Sequence, residues 1–364
     1  MTHAATARPQ ALPLHGVRVI EFEGVGPGPL AGRMLAQMGA ELTLIVRPHA
    51  NPMTQHLMGE VDNPLRHGKR LVELDLKTSS GVARALELIA NADVLIEGNR
   101  PGVMEWLGLG PTPCGARNPR LIYGRMTGWG QQGPLAQTAG HDLNYVALSG
   151  LLSVSMRPGE RPMIPPTVVG DASGALGLAF GIVCALLEAR STGQGRVVDA
   201  AVIDITSMLG ALVHWAHAGG NIAGPRPSVF HDSPFYDAYE CSDKNFITLA
   251  PLEPKFYSLM LNKLGLTDVD AAQQYDSSHW PALKARLSAL FRSRTRDEWC
   301  ELIEGSDLCF APVLSIEEAA LHPHNLARAI FSMSSTGAIQ ASAAPRFGAL
   351  VDGPYAESGQ SESG

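Results

Sequence analysis

Residues 17–46 read VRVIEFEGVGPGPLAGRMLAQMGAELTLIV. Val17–Phe22 is a run of branched and apolar residues and predicts a buried strand. A Gly/Pro loop, GVGPGP, follows. Pro29–Met38 then predicts a helix, with proline where no N–H donor is needed and Gly39 placed to cap the end. Glu41–Val46 is a second strand. Strand, helix and strand in so short a span require a parallel crossover, and hence an α/β sheet.

The alternation continues outward. Gly81–Asn91 predicts a helix, and Asp93–Glu97 and Arg120–Arg125 predict strands. Gly174–Glu188 predicts a long apolar helix whose glycines lower its intrinsic propensity, so packing must hold it. GQGRVVDAAVID then gives a turn and a strand running into a helix that ends near His217. Residues 219–234 are rich in Gly, Pro, Ser and Asn and read as a linker. Beyond them, Phe235–Ala250 predicts two short strands around a Ser-Asp-Lys-Asn turn, followed by helices at Pro254–Leu264, Trp280–Phe291 and Asp297–Gly305. The expected organisation is a large α/β domain over 12–218, completed by about 325–350, a small α+β domain over 235–315, and a polar tail at 351–364.

Composition narrows the function. The 364 residues are 45% hydrophobic and 17% charged, enough for more than one core. The formal net charge of −7, without a basic stripe, argues against nucleic acid as a partner. Five scattered cysteines with no CxxC pair fit neither a disulfide framework nor a zinc site, so reduced thiols and no metal are expected. The first residues, MTHAATARPQALPL, lack the apolar core of a signal peptide, and the final ESG is no peroxisomal signal. No run reaches the ~18 apolar residues of a membrane span. A cytoplasmic protein with no membrane partner is therefore the expectation.

The glycine loop after the first strand invites a dinucleotide site, but Pro27 and Pro29 remove backbone donors that a phosphate cradle needs. Arg47 stands where an NAD-binding protein would place an acid for the ribose, and suits a phosphorylated ribose instead. Lys69-Arg70 and Arg100 occupy further predicted turns. Each reads singly as a solvated charge; together, in an acidic chain, they point to an anionic ligand. His141 and Asp142 lie in GHDLNY, Asp171 in VVGDASGAL and Glu253 in PLEPKFY. All of these fit helix starts as well as they fit acid/base chemistry.

The blocks LPLHGVRVIEF, ADVLIEGNRPGVMEWLGLGP, RLIYGRMTGWGQQGP, GHDLNY, VVGD, STGQGRVVDA, FYDAYEC, the Glu-Pro-x-Phe-Tyr run at Glu253 and APVL follow one another over roughly residues 12–350. In this order and spacing the chain resembles the family III (CaiB/BaiF-like) CoA-transferases, and within them the members that racemise 2-methylacyl-CoA thioesters. The resemblance implies a Rossmann-like large domain with a parallel sheet, a smaller α+β domain and an interlocked homodimer. Each active site would combine the large domain of one chain with the small domain of the other. It implies interconversion of (2R)- and (2S)-2-methylacyl-CoA by proton transfer through an enolate, a step of lipid metabolism. His141 and Asp171 would be the acid/base pair, Glu253 the residue orienting His141, and Asp142 or its backbone a neighbour of the enolate. Arg47, Arg100 and Arg70 would hold CoA, which travels as part of the substrate, so no separate cofactor is implied. The sequence departs from the family's racemases at Thr167 (usually Asn), at Ala172-Ser173 (usually glycine-rich) and at Trp106 (usually charged). Two alternatives stand beside this reading: a CoA-transferase in which Asp171 is a nucleophile forming an acyl anhydride, and a CoA-binding homologue without catalysis.

Overall fold

The computed structural model describes residues 11–49, 56, 63–157, 159–224, 226–334 and 337–348; the expected leader before residue 11 and the tail at 351–364 lie outside them. The chain divides into two units. One comprises the described residues of Met1–Leu152, Met163–Leu209 and Ser332–Gly364, the other those of Ser153–Pro162 and Gly210–Phe331. The division falls at Gly210 rather than at the linker expected from Gly219, and the short segment Ser153–Pro162 belongs with the smaller unit. An Arg157–Asp237 ion pair of 2.7 Å holds that segment there, and Lys284 meets the same aspartate at 2.6 Å.

The larger unit is built on six parallel strands: β1 (Arg18–Phe22), β2 (Glu41–Val46), β3 (Lys69–Glu73), β4 (Val94–Glu97), β5 (Ile122–Thr127) and β6 (Arg196–Ala201). Their order is β3-β2-β1-β4-β5-β6. The crossovers include α1 (Pro27–Gln37), α2 (Ser79–Ala90), α3 (Val103–Trp106), α4 (Pro111–Arg117), α5 (Asp142–Leu148) and α6 (Gly170–Thr192), and α7 (Val202–Leu209) follows β6. Both faces of the sheet are covered. Val19, Leu44, Ile96 and Ile122 pack with α1 and α6, while Ile20, Ile45, Leu95 and Tyr123 pack with residues of α2, α3 and α4. Burial on both faces is why these strands are continuously apolar rather than alternating. The strand order reverses between β1 and β4, which opens a crevice at their carboxyl ends.

Three local features differ from the sequence reading. The glycine-proline run is not all loop: α1 begins at Pro27, whose missing N–H falls where a helix leaves donors unpaired. Lys69-Arg70 is not a turn but the start of β3. The Lys69 ammonium is buried with Glu21, at 2.7 and 2.9 Å from its two oxygens, so it is not free for a ligand. Burial pushes the Glu21 carboxyl up to about 7. Finally, α6 has 23 residues and is apolar enough, by length and composition, to cross a membrane, although it holds no uninterrupted apolar run of about 18 residues. In this fold one side of it packs on the sheet and α1.

The smaller unit contains α8 (Ala211–Ala218), the antiparallel sheet β7-β8-β9 (Asp237–Glu240, Phe246–Leu249, Phe310–Pro312), and helices α9 (Pro254–Lys263), α10 (Trp280–Phe291) and α11 (Arg296–Ile303). Phe235, Ile247, Tyr257, Leu287 and Phe291 form its own core.

Candidate active site

The carboxyl edge of the large sheet gathers most of the candidate residues. The loop leaving β1 turns at Gly26, whose φ of 70° is left-handed. A Cβ there would stand 2.9 Å from Asp171 Oδ2, so glycine lets the backbone approach this carboxylate closely. Asp171 lies in the first turn of α6, one residue inside its start, and is not the cap. Asp142 serves the capping role: its buried Oδ1 accepts the Asp171 N–H at 2.7 Å. The Thr167 carbonyl accepts the Ala172 N–H at 3.0 Å, with Thr167 itself at φ 61°. One oxygen of the Asp142 carboxylate thus does structural work at the helix start.

His141 is the residue preceding α5, and its backbone N–H donates to Asn144 Oδ1 at 3.1 Å. The ring of Tyr145, one turn into α5, fixes the approach to it. The Tyr145 hydroxyl donates to the Gly140 carbonyl, and the ring packs edge-on against Trp129 at 4.7 Å. Gly128 is required here, since a Cβ would overlap the Tyr145 ring. The loop TGWGQQGPLAQTAG is therefore pinned at both ends by one side chain, and His141 follows directly from it. Tyr145, Gly26 and Gly128 were given no role on sequence grounds. Tyr145 could have been noticed inside GHDLNY, but the glycines could be placed only by knowing what approaches them.

Burial pushes the Asp171 carboxyl up to about 6; the nearby Asp142 charge adds to this, and the His141 imidazole acts in the opposite direction. Among the described residues the Asp171 carboxylate takes no hydrogen bond. It is a desolvated acid held beside a histidine, in the range where proton transfer near neutral pH is efficient. Ser173, one of the positions that depart from the family pattern, bonds the Thr206 hydroxyl on α7 at 2.8 Å and so ties the helix to its neighbour.

Arg47 and Arg100 follow β2 and β4, the neighbours of β1 on either side, and both are exposed. Arg47 pairs with Glu23 at 3.4 Å, which also meets Arg66 at 2.5 Å. Arg70 is not brought to this edge. It is the second residue of β3, donates to Thr43 Oγ1 at 3.1 Å, and lines a cavity of about 680 Å³ at the amino ends of the strands, with Arg18 and Arg84. A parallel sheet directs the ends of a strand to opposite edges, so Arg70 is removed from the ligand set. Glu253 belongs to the smaller unit, where it is exposed, immediately precedes α9 and makes no side-chain cap bond to it.

A model of the family described as CoA-transferase family III matches residues 14–356. The alpha-methylacyl-CoA racemase of Mus musculus is 41% identical over 321 residues, covering 87% of this chain and 82% of that protein. The alpha-methylacyl-CoA racemase of Homo sapiens is 37% identical over 335 residues, covering 91% and 86%. A solved structure of a CaiB/BaiF family protein from Brucella suis is similar at a TM-score of 0.79 and 25% identity, covering 93% of both chains.

Proposed function

Starting from a chain that belongs to CoA-transferase family III, we propose that it interconverts the (2R) and (2S) forms of 2-methylacyl-CoA thioesters, with His141 and Asp171 as the two acid/base groups. The observation that carries this reading is the raised Asp171 carboxyl, about 6, beside His141 at the carboxyl edge of β1. A carboxylate at its ordinary affinity would be a poor proton donor near neutral pH; one raised by burial can both take and return a proton.

An α-proton next to a thioester is weakly acidic. Its removal needs a positioned base on one face, an acid on the other, and hydrogen bonds to the enolate oxygen. One group of the pair removes the proton, and the other delivers a proton to the opposite face. In the reverse direction the roles exchange. An ionised carboxylate only accepts hydrogen bonds, so we assign to the enolate the backbone N–H of Asp142, in the open first turn of α5. Arg47 and Arg100 would hold the phosphates of CoA, far from the reacting carbon. Glu253 would orient His141 from the smaller unit of a second chain.

That last assignment requires a homodimer. Leu176, Phe180 and Leu187 are 49%, 67% and 63% exposed on α6. Their spacing of four and seven residues makes one apolar stripe on a helix whose other side is packed. A second copy of the chain is the occupant this reading assigns to the stripe.

The test is α-proton exchange. The protein is incubated with (2R)- and (2S)-2-methylacyl-CoA in D₂O, and deuterium incorporation and chirality are followed by NMR. Exchange with inversion, lost in His141→Ala and Asp171→Ala, is expected. Absence of exchange with every 2-methylacyl-CoA tried would sink the reading; transfer of CoA to an added carboxylate, with release of the 2-methyl acid, would make Asp171 a nucleophile instead.

A further inference from the structure

The Lys69 ammonium and the Glu21 carboxylate are both buried beneath α1. Lys69 opens β3, Glu21 lies on β1, and β2 runs between them. All three N–H donors of the ammonium are used: the two Glu21 oxygens accept at 2.7 and 2.9 Å, and the Pro29 carbonyl accepts at 3.0 Å. α1 closes onto the pair at Gly32, where a Cβ would overlap Glu21 Oε2. Two buried charges add little net stability, because their lost hydration offsets their attraction; apolar side chains of similar size would fill the same space as well.

What the pair does hold is the start of α1, which has no local determinant of its own. The helix opens with Pro27, Gly28 and Pro29, no side chain caps it, and no acid lies in its first turn. That turn nevertheless lies against the candidate site. Gly26, immediately before it, brings the backbone to Asp171 Oδ2. Pro27 meets α6 at Gly174, where an added Cβ would stand 3.5 Å from the Pro27 Cβ.

We propose that Lys69 and Glu21 are positioning residues: they fix the first turn of α1 through the Pro29 carbonyl and so seat the Gly26 backbone against the Asp171 carboxylate. The link is short, since Pro29 is less than one helical turn from Gly26. The pair acts only through α1. With the turn held, one side of the Asp171 carboxylate is closed to water; with the turn released, the carboxylate hydrates. Asp142, His141 and Tyr145, the other titratable groups that face Asp171, are not part of this device. Arg33, a further cation near Lys69, belongs to α1 itself. The inference rests on the proposed role of Asp171 as an acid/base group.

Lys69→Met/Glu21→Met removes both charges at similar side-chain length. Asp171 ionisation is followed by carbon NMR of protein labelled at its aspartate carboxyls, with Asp171→Asn to assign the resonance, and folding is followed by urea unfolding. The unfolding midpoint should not fall. The Asp171 titration should move from about 6 toward the ordinary 3.8. In the exchange assay kcat should drop about tenfold or more, with KM unmoved. Lys69→Gln/Glu21→Gln, a neutral pair one bond shorter on the lysine side, is expected to do the same. An Asp171 titration still at about 6 in either folded variant would overturn the proposal. Failure of both variants to fold would overturn it too, since the pair would then serve the fold rather than the turn. If the Asp171 titration moves but the unsubstituted chain exchanges no α-proton, the positioning stands and the racemase reading fails.

Discussion

Asp171 is where the proposed chemistry and the cost of the site meet. Its folded-state affinity for a proton, about 6, lies above the ordinary carboxyl value of 3.8. Below about pH 4 the group is protonated in both folded and unfolded chains and costs nothing. As pH rises toward 6 the unfolded chain ionises first, so folding loses stability, and the loss is complete above 6. Asp171→Asn should therefore gain on the order of 1 kcal/mol in urea unfolding at about pH 8, allowing for solvent screening, and nothing at about pH 3, while proton exchange falls by about 10²–10⁴. An equal gain at both pH values would refute burial of the charge as the cause. Asp142→Asn keeps an acceptor for the Asp171 N–H but removes a like charge. On the proposed mechanism, kcat/KM for the enantiomer from which Asp171 would abstract the proton should fall below about pH 6, and in Asp142→Asn that limb should move to lower pH. An unmoved limb would assign it to another group.

The elements around the site are held by contacts that cross between them. The start of α6 depends on Asp142, from α5, and on the carbonyl of Thr167. Thr167 adopts φ 61°, a conformation that a β-branched residue tolerates poorly and asparagine tolerates well. Thr167→Asn should raise stability by about 1 kcal/mol, read from the midpoint of thermal or urea unfolding without a change in m. A loss would show that the threonine methyl or hydroxyl makes a contact worth more than the strain. The strands, the long apolar helix and the helices of the smaller unit were legible in the sequence because each is an apolar or amphipathic run bounded by turn residues. The start of α1 was misread because its glycines and prolines resemble a loop, and β3 because Lys69-Arg70 looks like solvated charge until Glu21 is placed beside it.

At the scale of the whole molecule, the two units carry different parts of the proposed machinery: His141 and Asp171 lie in one, Glu253 in the other. If each site combines units from two chains, a His141→Ala chain and a Glu253→Ala chain, each impaired alone, should complement when mixed and reassociated. Heterodimers would carry one intact site, about a quarter of all sites at random pairing. Activity that stays at the average of the two variants would refute the shared site. A charged residue at Phe180, in the exposed stripe of α6, should reduce dimerisation, as followed by light scattering.

The sequence by itself determined the parallel α/β class, the division into a larger and a smaller unit, the family, and the identities of His141, Asp171, Arg47 and Arg100 as candidates, because periodicity and local motifs are properties of short segments. Only the tertiary structure decided which of them meet. The strand order placed Arg47 and Arg100 at the carboxyl edge and Arg70 at the opposite one. The proton affinity of Asp171, the capping duty of Asp142 and the pinning of the loop by Tyr145 arise from burial and from contacts between residues far apart in the chain. Burial and long-range contacts have no local signature, so they could not be read until the fold was in place.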